Sequence, residues 1–213
     1  MKQNKIYAYG KHAVAEATRH APHAVLKVFT NEKEGEVARI SVHALVQQYE
    51  KFMSTLRPTP DTVLVLLSGV EDPHNFGAII RSAAGFGASA VLMPQKGQAP
   101  LSGTVLKVSA GMAFRIPLVT IADIPKTVAD LKKRGFKVHA LAAGAKTIAD
   151  EPFAEPAVLI LGNEGTGVPK TIRALVDQTL SIPMHPRTES LNVAAAAAAA
   201  LFAWSTRHPA ALS

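Results

Sequence analysis

Hydrophobic positions fall along the chain in two alternating rhythms. Short, nearly continuous apolar runs occur at TVLVLL (62–67), AVLM (90–93), IPLV (116–119), KVHAL (137–141), AVLIL (157–161) and TLSIP (179–183). Between them lie stretches with helical spacing, near 75–87 and over 124–134. Strands that are apolar on both sides of the pleat belong to a parallel sheet covered on both faces, so an α/β architecture is predicted. Ahead of this series, residues 10–20 read as a short helix and 24–29 as a strand. Residues 41–53 read as one helix, with Val42, Leu45, Val46, Tyr49 and Phe52 on its stripe. STLRPTPD (54–61), with prolines at 58 and 60, is the best linker candidate. The predicted division is therefore a small α+β domain over 1–55, a linker over 56–61 and a larger α/β domain over 62–213. No long-period repeat is present. The one low-complexity run, Ala194–Ala200, is a strong helix former whose small side chains admit close packing.

Composition narrows the class. With 213 residues, 48% of them hydrophobic, the chain can bury a substantial core and is expected to be globular. MKQNKIYAYGKH lacks the apolar stretch of a secretory signal. The longest apolar run, Val193 to Trp204, falls short of the roughly 20 residues that span a bilayer, so no membrane partner is expected. The absence of cysteine excludes disulfides, thiolate-bound zinc and a cysteine nucleophile, and fits a reducing cytoplasm. The eight histidines form no HExxH pattern, and His20 and His23 straddle Pro22, so no metal site is predicted. A net charge of +7 suggests a polyanionic partner. The first 60 residues carry nine Lys/Arg against five Asp/Glu, which places accessory nucleic-acid contacts there.

The chemistry concentrates where apolar strands run into polar turns that open helices, since such turns present free backbone N–H groups. Two of these turns, at Gly162 and Ile182, lie 20 residues apart in LILGNEGTGVP (159–169) and SIPMHPRTESLNVAAA (181–196). They are close enough to wall a single pocket. The glycine-rich turn has the G-x-x-x-x-G spacing of a P-loop, but Val168 follows where Lys is needed; nor does it fit G-x-G-x-x-G. What it offers is one carboxylate, Glu164, among glycines, able to accept amide hydrogen bonds or orient a hydroxyl. In the later turn Thr188 or Ser190 is placed to cap the alanine helix, with Asn192 in its first turn. No G-x-S-x-G elbow accompanies Ser190, which disfavours a serine hydrolase.

A third constellation, GVEDPHNFGAIIRSAAGFGA (69–88), follows the first long strand. Asp72-Pro73 makes a turn and Asn75 is placed to cap the helix behind it. Phe76, Ile79, Ile80 and Ala83 form its buried stripe. Arg81 sits off that stripe, ~9 Å further along the axis, and leans back toward the strand ends. Taken alone, the segment is satisfied by a cap and a surface arginine.

Together, DPHNFGAIIRSA, LGNEGTGVP and IPM followed by ESLNVAAA resemble the SpoU (TrmH-like) branch of the SPOUT superfamily, RNA 2′-O-ribose methyltransferases, in order and spacing over residues 62–205. The resemblance implies an α/β domain with a parallel sheet flanked by helices and a C-terminal trefoil knot, working as a homodimer. It implies S-adenosylmethionine held by Gly162, Ile182 and Leu191. Asn75, Arg81, Glu164, Ser190 and Asn192 fall on the family's catalytic and substrate-positioning places. The family assigns the base to arginine, here Arg81, assisted by a substrate phosphate; clamping that phosphate is the role a permanently charged guanidinium fits better. The expected substrate is a structured ribosomal or transfer RNA, with no DNA partner. Two departures stand out. HPR (185–187) follows IPM where many relatives have glycine, and the YGKHAVAEA pattern of a ribosomal-protein-like RNA-binding domain opens an abbreviated region. A SPOUT-like RNA-binding protein without catalysis is the alternative, followed by a Rossmann or P-loop nucleotide enzyme.

Overall fold

In the computed structural model, which describes residues 5–213, the chain begins with β1 (Lys5–Tyr9), α1 (Lys11–His20), β2 (Val25–Asn31) and β3 (Gly35–Ser41). The three strands form an antiparallel sheet in the order β1-β3-β2. Its hairpin turns on Asn31, whose Oδ1 accepts from the N–H groups of Lys33 (2.9 Å) and Glu34 (3.3 Å), before Gly35 at φ 69°. Helix α1 buries Ala13, Val14 and Ala17 against one face of this sheet. The same helix buries Glu16, which the Arg115 guanidinium grips with two bonds of 2.6 and 2.8 Å. Gly111, at φ 84°, leaves the room that Glu16 occupies: a Cβ there would lie 2.6 Å from Glu16 Cγ.

The expected helix over 41–53 is instead broken in three: α2 (Val42–Leu45), β4 (Val46–Gln48) and α3 (Tyr49–Thr55). The reason lies in where its apolar residues go. Leu45 joins the core on one face of the large sheet, whereas Tyr49, Phe52 and Met53 join the core on the other. A single helix cannot deliver one stripe to both faces. The chain therefore crosses the sheet edge in extended form, pairing Val46 with Leu118 and Gln48 with Thr120. The residues before the 56–61 segment thus supply an edge strand and a covering helix to the large sheet.

The remaining elements follow the predicted alternation: β5 (Val63–Ser68), α4 (Pro73–Gly85), β6 (Ala90–Pro94), α5 (Gly103–Val108), β7 (Leu118–Ile121), α6 (Ile124–Lys133), β8 (Lys137–Thr147), β9 (Ala157–Gly162), α7 (Lys170–Arg173), β10 (Gln178–Ser181) and α8 (Val193–Ser205). The sheet has seven strands in the order β10-β8-β9-β5-β6-β7-β4, and every pairing is parallel. Strand β5 shows why the runs are continuously apolar. Val63, Val65 and Leu67 face one core with α4 and α8, and Leu64 and Leu66 face the other with α3 and α6. Ala197 and Ala200 bring α8 close against α4. Among the described residues no helix is long and apolar enough to cross a membrane.

Two helix starts differ from expectation. Asp72, not Asn75, caps α4: its Oδ1 accepts from the His74 N–H at 2.8 Å, with Pro73 in the first position. Asn75 is left inside the first turn with its side chain free for other work. Likewise Asn192, rather than Thr188 or Ser190, caps α8, its Oδ1 accepting from the N–H groups of Ala194 (2.8 Å) and Ala195 (3.3 Å). Helical backbone begins only at Val193, so Ser190 lies too far upstream to reach the free amides.

Candidate active site

Strands β5 and β9 are neighbours in register, with Leu67 opposite Leu161 and Ser68 opposite Gly162. Their C-terminal ends therefore release two loops side by side, Gly69–Asp72 and Asn163–Gly167. Asn163 stitches them. Its Nδ2 donates to the Gly69 carbonyl at 2.9 Å, while its Oδ1 accepts from the N–H groups of Gly165 (2.9 Å) and Thr166 (3.2 Å). Its backbone also pairs with Gly167 in both directions. Sequence reasoning passed over Asn163; the signal was an Asx residue opening a glycine-rich turn. The fold admits only glycine at 162, because a Cβ there would overlap the backbone of Gly167 and Val168.

Glu164 is the hub of the site. Its carboxylate accepts from Asn75 Nδ2 at 3.0 Å and from the backbone N–H groups of Asp72 (3.2 Å) and Glu71 (3.3 Å). Asn75 Oδ1 in turn accepts from Asn192 Nδ2 at 2.8 Å. The three motif segments are thereby joined in one hydrogen-bonded line from the β5 turn through Glu164, Asn75 and Asn192 to the start of α8. Partial burial pushes the Glu164 carboxyl up, but the bonds from Asn75 and the backbone amides outweigh it and hold the group below its ordinary value. It is an ionised acceptor, suited to orienting its neighbours.

Beside this line lies a cavity of about 370 Å³. Gly162, Ile182 and Leu191 line it together, and so do Glu164 and Ser190. Asn75 and Asn192 are not in its lining; Asn75 is tied to the lining residue Glu164, and Asn192 to Asn75. The cavity also takes residues that sequence reasoning did not single out: Leu141–Ala143 from the long tail of β8, Thr166, Arg173, Met184 and Glu189. The HPR segment forms a closed turn at the rim, with His185 Nδ1 accepting from the Arg187 N–H (3.2 Å) and the His185 carbonyl from the Thr188 N–H (2.8 Å). Arg81 is elsewhere. It is exposed on α4, outside the cavity lining, and its side chain has no intramolecular hydrogen bond or ion pair among the described residues.

The fold is that of the SpoU methyltransferases. The SpoU methyltransferase AviRb from Streptomyces viridochromogenes, in complex with AdoMet, superposes with a TM-score of 0.84 at 22% identity, covering 97% of this chain and 92% of that one. An AdoMet-bound rRNA methyltransferase from Sinorhizobium meliloti gives a TM-score of 0.80 at 24% identity, covering 96% of this chain and 88% of that one. The profile of the SpoU rRNA Methylase family matches residues 62–202, and the chain belongs to that family. Its relatives include a 23S rRNA (guanosine-2′-O-)-methyltransferase RlmB of Ralstonia nicotianae, 34% identical over 81% of this chain and 69% of that protein. An uncharacterized tRNA/rRNA methyltransferase of Mycobacterium avium is 39% identical over 67% of this chain and 47% of its own length. The chain thus spans about half the length of several curated relatives it matches.

Proposed function

We propose that the protein transfers the methyl group of S-adenosylmethionine to a ribose 2′-hydroxyl of a structured ribosomal or transfer RNA. The observation that carries this reading is the Glu164–Asn75–Asn192 line beside the Gly162 cavity, which joins all three motif segments at one place. The residues present fit the cofactor: Gly162, lacking a side chain, lets the Gly167–Val168 backbone close against β9 and shape one wall of the cavity, and Leu141, Ile182 and Leu191 offer apolar surface for an adenine. When bound, the cofactor supplies a methyl group activated by a sulfonium. The chain's part is orientation. Glu164, kept ionised, positions the Asn75 amide and the loop amides. Ser190 offers a hydroxyl to the cavity, and the unpaired Arg81 is free to clamp an RNA phosphate beside the ribose. Intact polar connections among these residues favour catalysis over a purely RNA-binding role.

The same reading covers partners and topology. We assign RNA recognition to the small sheet, whose outer face carries the aromatic cluster Tyr7, Tyr9 and Phe29 (Tyr7–Tyr9 centroids 6.3 Å apart) beside Lys27 and Arg39. Aromatic rings among cations suit stacked bases and phosphates. Homodimerisation is supported by Phe202 on α8, 58% exposed beside Phe86. A trefoil knot is supported by the path of the chain, which leaves β9, runs to the far edge at β10 and returns to pack α8 on β9. The place of work is the cytoplasm, with its RNA. The test is to map ribose methylation in RNA from cells with and without the protein, then repeat the lost modification with pure protein and S-adenosylmethionine. Unchanged maps, with no transfer to any structured RNA, would sink the proposal.

A further inference from the structure

Arg173 ends the single turn α7 and is the one cation among the described residues that line the cavity, where it faces a lining that also holds the carboxylates of Glu164 and Glu189. Its Nε is sealed from solvent with no hydrogen-bond partner, and its guanidinium enters no ion pair among the described residues. Arg115 and Arg134 behave differently, each gripping a carboxylate at 2.6 Å. The sealed Nε holds the side chain in place, while its two terminal nitrogens, neither sealed nor hydrogen-bonded among the described residues, are open to an acceptor that the protein itself does not supply.

The chemistry of the cofactor identifies that acceptor. S-adenosylmethionine carries two positive groups, the sulfonium and the α-ammonium, and a single anion, its α-carboxylate. The cavity carries the opposite count: two carboxylates and one guanidinium. We propose that Arg173 receives the α-carboxylate of S-adenosylmethionine and makes the site selective for ligands that keep their amino-acid end. This rests on the proposed cofactor. The planar fork of arginine matches a carboxylate with two parallel bonds, which a lysine cannot reproduce.

The test is calorimetric titration of the full chain with S-adenosylhomocysteine and with its decarboxylated analogue, which lacks only that carboxylate. The wild type is expected to prefer S-adenosylhomocysteine by about tenfold or more, the worth of a charge-assisted hydrogen-bond pair. Arg173→Gln loses the preference by weakening S-adenosylhomocysteine alone, and Arg173→Lys keeps part of it; thermal melts of both variants establish that they fold. Preference retained in Arg173→Gln, or an equal loss for both ligands, overturns the assignment to the carboxylate. Failure of the wild type to bind either ligand overturns the cofactor reading and the Arg173 inference with it, a result distinct from the others, which require wild-type binding.

Discussion

Asn75 and Asn192, 117 residues apart in the chain, meet amide to amide at 2.8 Å. One end of that contact reaches Glu164 and the other caps α8, so the pair couples the glycine-rich loop to the C-terminal helix. Asn192→Ala is expected to lose the cap, about 1 kcal/mol, and in addition to strand the buried Asn75 carbonyl. A double-mutant cycle of Asn75→Ala and Asn192→Ala, read by urea unfolding, should show non-additive losses; strictly additive ones would mean that the contact is not energetically coupled. Methyl transfer should fall sharply in both single variants.

Gly162→Ala drives a methyl group into the backbone of Gly167 and Val168. Relief requires the loop to move away from β9, which should cost about 3 kcal/mol and disturb the cavity wall. Loss of S-adenosylhomocysteine binding together with a lower unfolding midpoint is the expected result. Wild-type affinity in this variant would show that the loop yields without harm.

Arg81 is exposed and outside the cavity. Arg81→Ala should therefore abolish methyl transfer while leaving cofactor affinity nearly unchanged. Arg81→Lys should fail too, since a point charge does not reproduce the guanidinium fork. Single-turnover methylation beside cofactor titration separates this from a passive surface charge, which predicts near-normal rates in both variants.

Most of the large sheet was legible because its strands are buried on both faces and so read as unbroken apolar runs. The same logic failed at 41–53. Helical spacing is a local signal, but the assignment of Leu45 and Tyr49 to opposite cores is set by the distant partner strand β7. In the site, Gly162, Ile182, Leu191, Glu164 and Ser190 were found through turns and motif resemblance, and they share the cavity. Asn75 and Asn192 were singled out and are joined by a hydrogen bond, but the caps were misplaced, because several Asx or Ser residues stand near each helix start and sequence does not say which one bends first. Leu141–Ala143 and Arg173 carry no motif. They reach the cavity only through the long tail of β8 and the turn of α7.

The Arg115 bonds hold the Glu16 carboxyl below its ordinary value of 4.5, against the opposing push of burial. A depressed folded-state value means that the contribution is complete above the unfolded value and is lost as pH falls through the folded one. Glu16→Gln should therefore destabilise most near pH 7, with the gap to wild type closing progressively below about pH 4.5. Urea unfolding at several pH values measures this. A gap independent of pH would show that packing, not charge, dominates.

Phe202 is expected to lie in the dimer contact. Phe202→Glu should then convert a dimer into protomers of 22.5 kDa by light scattering, with the fold retained by circular dichroism. A wild type that is already monomeric and active at micromolar concentration would refute the assembly.

The crossing at β4 also governs how the molecule can be cut. A recombinant boundary at the proline-rich 56–61 segment would remove β4 and α3, stripping the outer backbone partner from β7 and taking Tyr49, Phe52 and Met53 out of the core that holds Val119 and Ile121. The exposed strand edge invites self-association. Exchange of recognition units between relatives should therefore succeed only at a joint ahead of Val46, where the graft would still have to carry the Glu16 side of its bond to Arg115.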